Sequence, residues 1–405
     1  MIPISRQRLL FTAVTLLYWT SMYVYVPTLS PYLSTRGLSL QLIGIVLGSY
    51  GFMQLLIRFP LGMLSDKLGV RKPFILLGML AACVSCLLFI VPGSWLFPLG
   101  GRAVSGISAS AWVAFTVMYA SYFEPGDAGK AMGNISVMTV SGQMLGMLIS
   151  CWAADELGAS WPFLIGSLLG LLGLLLALLL REPAAADGTR GGGISLAKVG
   201  AVLRTRTLLQ VSFLSVLAHS ILFITMFGFT PLKAAALGAA GFQLTGIVLA
   251  FMLPHAIASL FTAKSIAPRF GHWTTIGAGF LLSGISTAAM LAVHSLPMLA
   301  LTQAVNGFAQ GLHIPLLLGL AIRDVEWSSR ATAMGLYQAI YAAGMFGGPF
   351  LAGWLSGNWG LDSGFLFGGL IACFAVALCL LWGRSERASL RRESPAPLSQ
   401  SNTSK

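Results

Sequence analysis

Two arginines, Arg58 and Arg102, stand inside long apolar runs of this chain. A guanidinium near the middle of a hydrocarbon layer costs about 2.5–3.5 kcal/mol on insertion scales, so a use for it is expected. Its planar fork of donors suits carboxylate or phosphate. None of the 12 acidic residues lies near the middle of an apolar run; they fall at Asp66, Glu124, Asp127, Asp155, Glu156, Glu182, Asp187, Asp324, Glu326, Asp362, Glu386 and Glu393. The buried balance is therefore positive, which points to an anionic or zwitterionic ligand with Arg102 supplying the charge. Arg58 lies eight residues before Asp66, about 12 Å along a helix axis. It is read as snorkelling towards the nearer interface or capping carbonyls.

Other polar residues inside apolar runs keep helical spacing. Gln303, Asn306, Gln310 and His313 recur at i, i+3, i+7 and i+10, which is one face. Arg102, Ser105, Trp112, Thr116 and Tyr119 form a second stripe, and Ser212, Ser215 and His219 a third. Thr15, Tyr18, Met22 and Tyr25 form a fourth, with Trp19 and Tyr23 beside them. Polar groups at depth face either a wet cavity or a partner helix, so each stripe has a ligand-binding reading and an interhelical hydrogen-bonding one. His219 and His313 are the candidates for a proton-coupling role, because histidine titrates nearest neutral pH. Cys83 and Cys86 form a C-x-x-C with no second pair and read as small apolar packing, so no metal site is expected. The chain has no H-E-x-x-H, G-x-S-x-G or Walker loop and no paired intramembrane aspartates, so no catalytic residues and no cofactor are expected; an enzyme and an ATP-driven pump are set aside.

The elements that must position these residues follow from composition. Of 405 residues, 56% are hydrophobic and 9% charged, against about 25% charged in a soluble domain. Lipid is the expected solvent. Twelve apolar runs are long enough to span it: 9–33, 40–64, 74–92, 95–122, 132–154, 160–180, 208–232, 241–265, 274–293, 296–322, 333–356 and 362–382 (spans 1 to 12). All should be helices, since backbone polar groups in lipid must be satisfied within the segment. The net charge of +12 would suggest nucleic acid in a soluble protein, but here the bases sit in loops. One side collects most of them, including Arg6, Arg8, Lys67, Arg71, Lys72 and Lys130. The other holds Arg36 and Lys233. This bias, and the even number of spans, put both termini in the cytoplasm of a plasma-membrane protein.

The sequence also repeats. Residues 41–47 read QLIGIVL and residues 243–249 read QLTGIVL; the same offset relates Gly69 to Gly271, Ala131-Met132-Gly133 to Ala333-Met334-Gly335, and Gly142 to Gly344. The expected layout is a six-helix bundle over 1–180, a Gly-rich cytoplasmic linker over 181–207, a second six-helix bundle over 208–382 and a disordered cytoplasmic tail over 383–405. Two such halves enclose a site near the midplane between them.

The loop after span 2 reads Gly62-Met63-Leu64-Ser65-Asp66-Lys67-Leu68-Gly69-Val70-Arg71-Lys72-Pro73. It resembles the signature G-x-L-x-D-R-x-G-R-[RK] of the major facilitator superfamily, in its drug- and metabolite-exporter-like branch. Arg102 with Gly106 is similar to that family's R-x-x-x-G feature. The second-half copy of the loop departs from it, with Pro268 for Asp66 and Trp273 for Arg71. Span 11 carries the Gly344, Gly347, Gly348, Pro349 and Gly353 cluster that in antiporters of the family belongs on span 5. The resemblance implies an all-α integral membrane fold of twelve transmembrane helices in two pseudo-symmetric six-helix bundles. It implies a gating latch at Gly62, Asp66, Lys67, Gly69, Arg71 and Lys72, and a path lined by spans 1, 4, 7 and 10. The substrate-binding candidates are then Tyr18, Trp19, Tyr23, Tyr25, Arg102, Trp112, Thr116, Tyr119, Gln303, Asn306, Gln310 and His313. The expected activity is secondary transport of a small solute by alternating access, with efflux of an anionic or zwitterionic metabolite or metal chelator as the leading form and proton coupling open. A multidrug:proton antiporter, a sugar or metabolite facilitator and an uptake symporter are the alternatives, with a channel-like or non-transporting membrane protein as the alternative of another class. The partners expected are a small-molecule substrate, the lipid bilayer and, if coupled, protons, for a monomer that binds no nucleic acid.

Overall fold

A computed structural model of the chain describes residues 4–124, 128–182, 200, 205–239, 241–325 and 330–393. Among them the secondary structure is entirely helical and no strand is present. The helices are Ile4–Tyr23 with Val26–Thr35 (span 1), Leu40–Leu68 (2), Lys72–Ile90 (3), Leu96–Ser110 with Trp112–Ala120 (4), Ala128–Glu156 (5) and Trp161–Leu178 (6). The second half repeats the order as Arg206–Ile224 with Thr230–Ala236 (span 7), Gly241–Phe261 (8), His272–Ala289 (9), Leu296–Arg323 (10), Arg330–Trp359 (11) and Leu361–Glu393 (12). Eleven of these are long and apolar enough to cross a membrane by length and composition. The long helix outside that group is span 11, whose glycine cluster and Gln338 dilute its apolar content.

The last helix continues to Glu393, past the expected start of the tail at 383. Gly383 packs against Trp273 of span 9, and the residues after it include good helix formers. The expected linker falls almost wholly outside the described residues, as does the tail beyond Glu393.

Pairing within the halves repeats. Span 1 packs on span 5, 2 on 4, 3 on 4 and 3 on 6; likewise span 7 packs on 11, 8 on 10, 9 on 10 and 9 on 12. Between halves, span 2 packs on span 11 and span 5 on span 8, and the distal end of span 1 meets that of span 7. An even number of antiparallel spans brings both chain ends to one face, called here the terminal face; the opposite one is the far face.

The apolar core divides by depth. One cluster runs from the first half across the boundary into Phe223, Phe227, Phe251 and Met345. A second, built from Leu208, Val211, Leu214, Phe280, Leu317 and Tyr337, belongs to the second half alone at its terminal face. The halves therefore share a core towards the far face and keep separate ones near the termini. Spans 6 and 12 turn leucines such as Leu168, Leu175, Leu370 and Leu380 outwards, as lipid-facing helices do.

Both leading helices of the two halves are interrupted at matching depth. Span 1 breaks between Tyr23 and Val26, ahead of Pro27. Span 7 widens into a π-turn over Thr225–Phe229, ahead of Pro231. Proline supplies no N–H and crowds the preceding turn, which accounts for a break at each place.

Candidate functional site

The two interruptions face each other across the boundary. The Tyr23 ring lies 5.8 Å from that of Phe227, and Ser30 Oγ donates to the Gly228 carbonyl at 2.7 Å. Beneath them a small cavity of about 10 Å³, room for a water molecule, is lined by Met22, Tyr23, Val26, Tyr50, Arg102, Phe223 and Phe227. Span 4 places Arg102 there with 3% exposure. Its guanidinium carbon sits 4.2 Å from the Tyr50 ring centroid, Nη1 donates to the Tyr25 hydroxyl at 3.4 Å, and Nε has no partner. No carboxylate forms a salt bridge with it among the described residues. Gly106, one turn further on, meets the Tyr50 carbonyl with no room for a side chain, which seats span 4 close against span 2. An aromatic cage of this kind holds a cation with one edge left to receive an anion.

The other aromatic candidates divide. Tyr23 lines the cavity. Tyr25 turns into the first half, stacked with Phe163 and tilted against Phe89. Tyr18 donates to the Ser108 carbonyl at 2.6 Å and lies against Phe115 and Trp112. Trp19 and Trp112 meet edge to face at 4.9 Å. Thr116 bonds its own helix at Val113, and Tyr119 packs on Phe11 and Phe123. These last residues form an aromatic wall between spans 1 and 4, nearer the terminal face than Arg102.

The span 10 stripe turns inwards within its own half. Gln303 Nε2 points at the Met290 sulfur. Asn306 donates to Thr225 and accepts from Ser283. His313 bonds Gln310 and stacks on Phe280 of span 9 at 4.4 Å. This is interhelical hydrogen bonding among spans 7, 9 and 10, and it does not meet the Arg102 cavity.

His219 lies elsewhere. Its ring stacks on Tyr341 at 4.0 Å and its Nδ1 bonds the Ser215 carbonyl. Tyr341 in turn accepts from Arg58 Nη1 at 3.2 Å, while Arg58 Nη2 donates to the Ala109 carbonyl at 3.3 Å. Arg58 thus caps a carbonyl, as expected, and also reaches across to the second half.

The signature loop is tied inside the first half. Arg71 Nη1 donates to Ser65 at 2.7 Å, and the backbone amides of Arg71 and Lys72 both donate to Glu182, at 2.5 and 3.1 Å. Glu182 so caps the start of span 3, where a carboxylate complements the helix dipole. Lys72 Nζ donates to the Leu178 carbonyl at the end of span 6. Gly69 has φ +66°, the left-handed turn that glycine adopts freely. Gly62 lies in ordinary contact with Val113 of span 4 and Lys67 is exposed; the Asp66 side chain lies outside the described residues.

Sequence reasoning missed Tyr50, Phe223, Phe227, Tyr341 and Glu182. Phe227 carried a signal, since it occupies the repeat position of Tyr25. Glu182 read as the first residues of a linker, and Tyr341 has no acidic or basic neighbour in sequence to single it out.

Two overlapping stretches, residues 11–250 and 211–403, match the sequence profile of the Major Facilitator Superfamily. The inner membrane transport protein YajR of Escherichia coli K12 is 25% identical over 384 residues, covering 93% of this chain and 83% of that protein. The class D tetracycline resistance protein of Salmonella ordonez is 25% identical over 354 residues, covering 84% and 86%. A solved structure of a mutant of the nucleoside transporter NupG superposes with a TM-score of 0.79 at 14% identity, over 93% of this chain and 99% of that one.

Proposed function

The chain belongs to the Major Facilitator Superfamily, and from that premise we propose that it is a secondary transporter exporting an anionic or zwitterionic small solute, bound at Arg102 between the two halves. The observation that carries the reading is a guanidinium buried at the boundary with its Nε bare and no carboxylate partner among the described residues. A charge in that position is stabilised by a ligand bearing the opposite one. Phe223, Phe227 and Tyr23 supply the apolar wall that such sites use to orient a ligand. A shared core towards the far face with separate cores near the termini fits a bundle closed at the far face. With the termini in the cytoplasm, that is an inward-facing arrangement whose loading path opens once the Gln54–Met345 and Arg58–Tyr341 contacts part. Export is favoured by the similarity to a tetracycline resistance protein.

Of the two histidines, His219 is the better coupling candidate, because it sits against Tyr341 and Arg58 where the halves meet. His313 is held between spans 9 and 10. Direct comparison of carboxylate and quaternary-ammonium solutes in proteoliposomes tests the substrate class. Carboxylate transport is expected to dominate and to fall at least about tenfold in Arg102→Ala, the loss of a charge-assisted hydrogen bond. Preference for lipophilic cations, surviving that substitution, refutes it.

A further inference from the structure

Arg58 repeats the situation of Arg102 deeper towards the terminal face. It is 5% exposed, its hydrogen-bond partners are the neutral Tyr341 hydroxyl and Ala109 carbonyl, and its Nε is bare. Neither arginine forms a salt bridge among the described residues. Both charges belong to the first half: by the repeat, Arg58 corresponds to Leu260 and Arg102 to Ala304. The duplication has not preserved them as helix-packing residues in both copies.

Their separation can be gauged along two helices. Arg102 lies over Tyr50, and from Tyr50 to Arg58 span 2 rises roughly 12 Å over eight residues. Arg58 reaches Ala109, and from Arg102 to Ala109 span 4 rises roughly 10 Å over seven. Tyr50, Gln54 and Arg58 follow at i, i+4 and i+8, one face of span 2. Between the two cations that face presents Gln54, buried and paired through Nε2 with the Met345 sulfur at 3.7 Å. A thioether is a weak acceptor. The second half contributes a cover at each rung of this ladder: Phe223 on Tyr50, Met345 on Gln54 and Tyr341 on Arg58.

We propose that the transported solute carries two acidic groups, one received at Arg102 and the other at Arg58, with the Gln54 amide between them. This rests on the reading of Arg102 as the anion site and extends it to a second station. Two buried cations without carboxylate partners are both satisfied by one dianion, whereas a monoanion leaves one uncompensated. Each guanidinium stands several ångströms off its acid, so the two acid carbons need less separation than the cations themselves. The ligand would replace Tyr341 at Arg58 and Met345 at Gln54. Its binding then exchanges contacts between the halves for contacts with itself, linking occupancy to their separation.

The test is binding of straight-chain α,ω-dicarboxylates, from succinate to suberate, to the purified full chain in detergent, against monocarboxylates of the same length. Wild-type protein is expected to bind one dicarboxylate length at least about tenfold more tightly than its monocarboxylate counterpart. Arg58→Gln is expected to reduce that ratio to about twofold while monocarboxylate affinity holds. Should the glutamine variant not fold, Arg58→Lys keeps the charge without the fork and is expected to blunt the length optimum. No dicarboxylate preference in the wild type, or an undiminished one in the Arg58 variants, overturns the second station and leaves Arg102 as a monoanion site. Unchanged binding of both series in Arg102→Ala overturns the Arg102 reading itself, and binding of neither series at millimolar concentration overturns both.

Discussion

A polar side chain inside an apolar run has two fates here. Arg102 and the span 10 stripe carry the same signal, polar residues at depth on one helical face. Arg102 ends at the boundary between the halves with a bare Nε. Asn306 and His313 end between helices of one half, bonded to Thr225, Ser283 and Gln310. Which fate a residue meets depends on how its helix is rotated, and rotation is set by neighbours distant in sequence. At the terminal face the same holds for Tyr122. Its hydroxyl donates to the Arg181 carbonyl at 2.6 Å, and its own carbonyl accepts from Arg8. Burial, reinforced by the Glu182 carboxylate, pushes the hydroxyl from 10.0 up to about 12. Below pH 10 both folded and unfolded chains keep this proton. Between the two values the unfolded chain releases a proton that the folded chain retains, so stability falls as pH rises. Tyr122→Phe is expected to lose less melting temperature than the wild type between about pH 10 and 12, as scanning fluorimetry in detergent would record. Equal losses would show that this tyrosine contributes nothing to the alkaline decline.

At the scale of the element, the glycines of spans 2 and 11 were legible as a pattern but not as a contact. Read from sequence, the span 11 cluster resembled an antiporter motif displaced from span 5. In the fold, Gly344 and Gly348 let span 11 approach span 7, and Gly353 meets Gly44 of span 2. A Cβ on Gly51 would lie 2.6 Å from the Met345 carbonyl carbon, a backbone atom that cannot swing aside. Small residues permit such close helix crossings in membranes, where packing replaces the hydrophobic drive between helices. Gly51→Val is therefore expected to part spans 2 and 11 at the far face. A cysteine placed at Gln41, beside Gly357 at the far end of that seam, should then react faster with a membrane-impermeant thiol reagent. An unchanged labelling rate would mean that the seam yields elsewhere. The paired breaks in spans 1 and 7 were half visible: Pro27 and Pro231 announce a disturbance, whereas the Ser30 hydroxyl that donates to the Gly228 carbonyl of the π-turn comes from the other half and is seen only in space.

For the whole molecule, one core crosses the boundary at the far face and another stays within the second half near the termini. A bundle built this way can part at either end only by exchanging inter-half contacts, which is how rigid halves rock. Gln41 and Gly357 lie on opposite halves, and the Gln41 side chain fills the space that a Cβ on Gly357 would take. In a Gln41→Cys, Gly357→Cys protein, with the five native cysteines replaced, an oxidant is expected to form a disulfide and stop transport, and a reductant to restore it. Transport that continues in the cross-linked protein would exclude separation of spans 2 and 11 from the cycle.

Sequence alone determined the solvent, the count of long helices, the duplication and the family, because each is written in composition, in the length of apolar runs or in a local motif. It also located both buried arginines and the lack of an acid to match them, since charge inside an apolar run is conspicuous without coordinates. Only the tertiary structure decided what those arginines face. Tyr50, Phe223 and Tyr341 reach them from helices far away in the chain, and no periodicity within one helix encodes the rotation of another against it. The same reason hid Glu182, whose carboxylate becomes the cap of span 3 once span 6 has packed beside it.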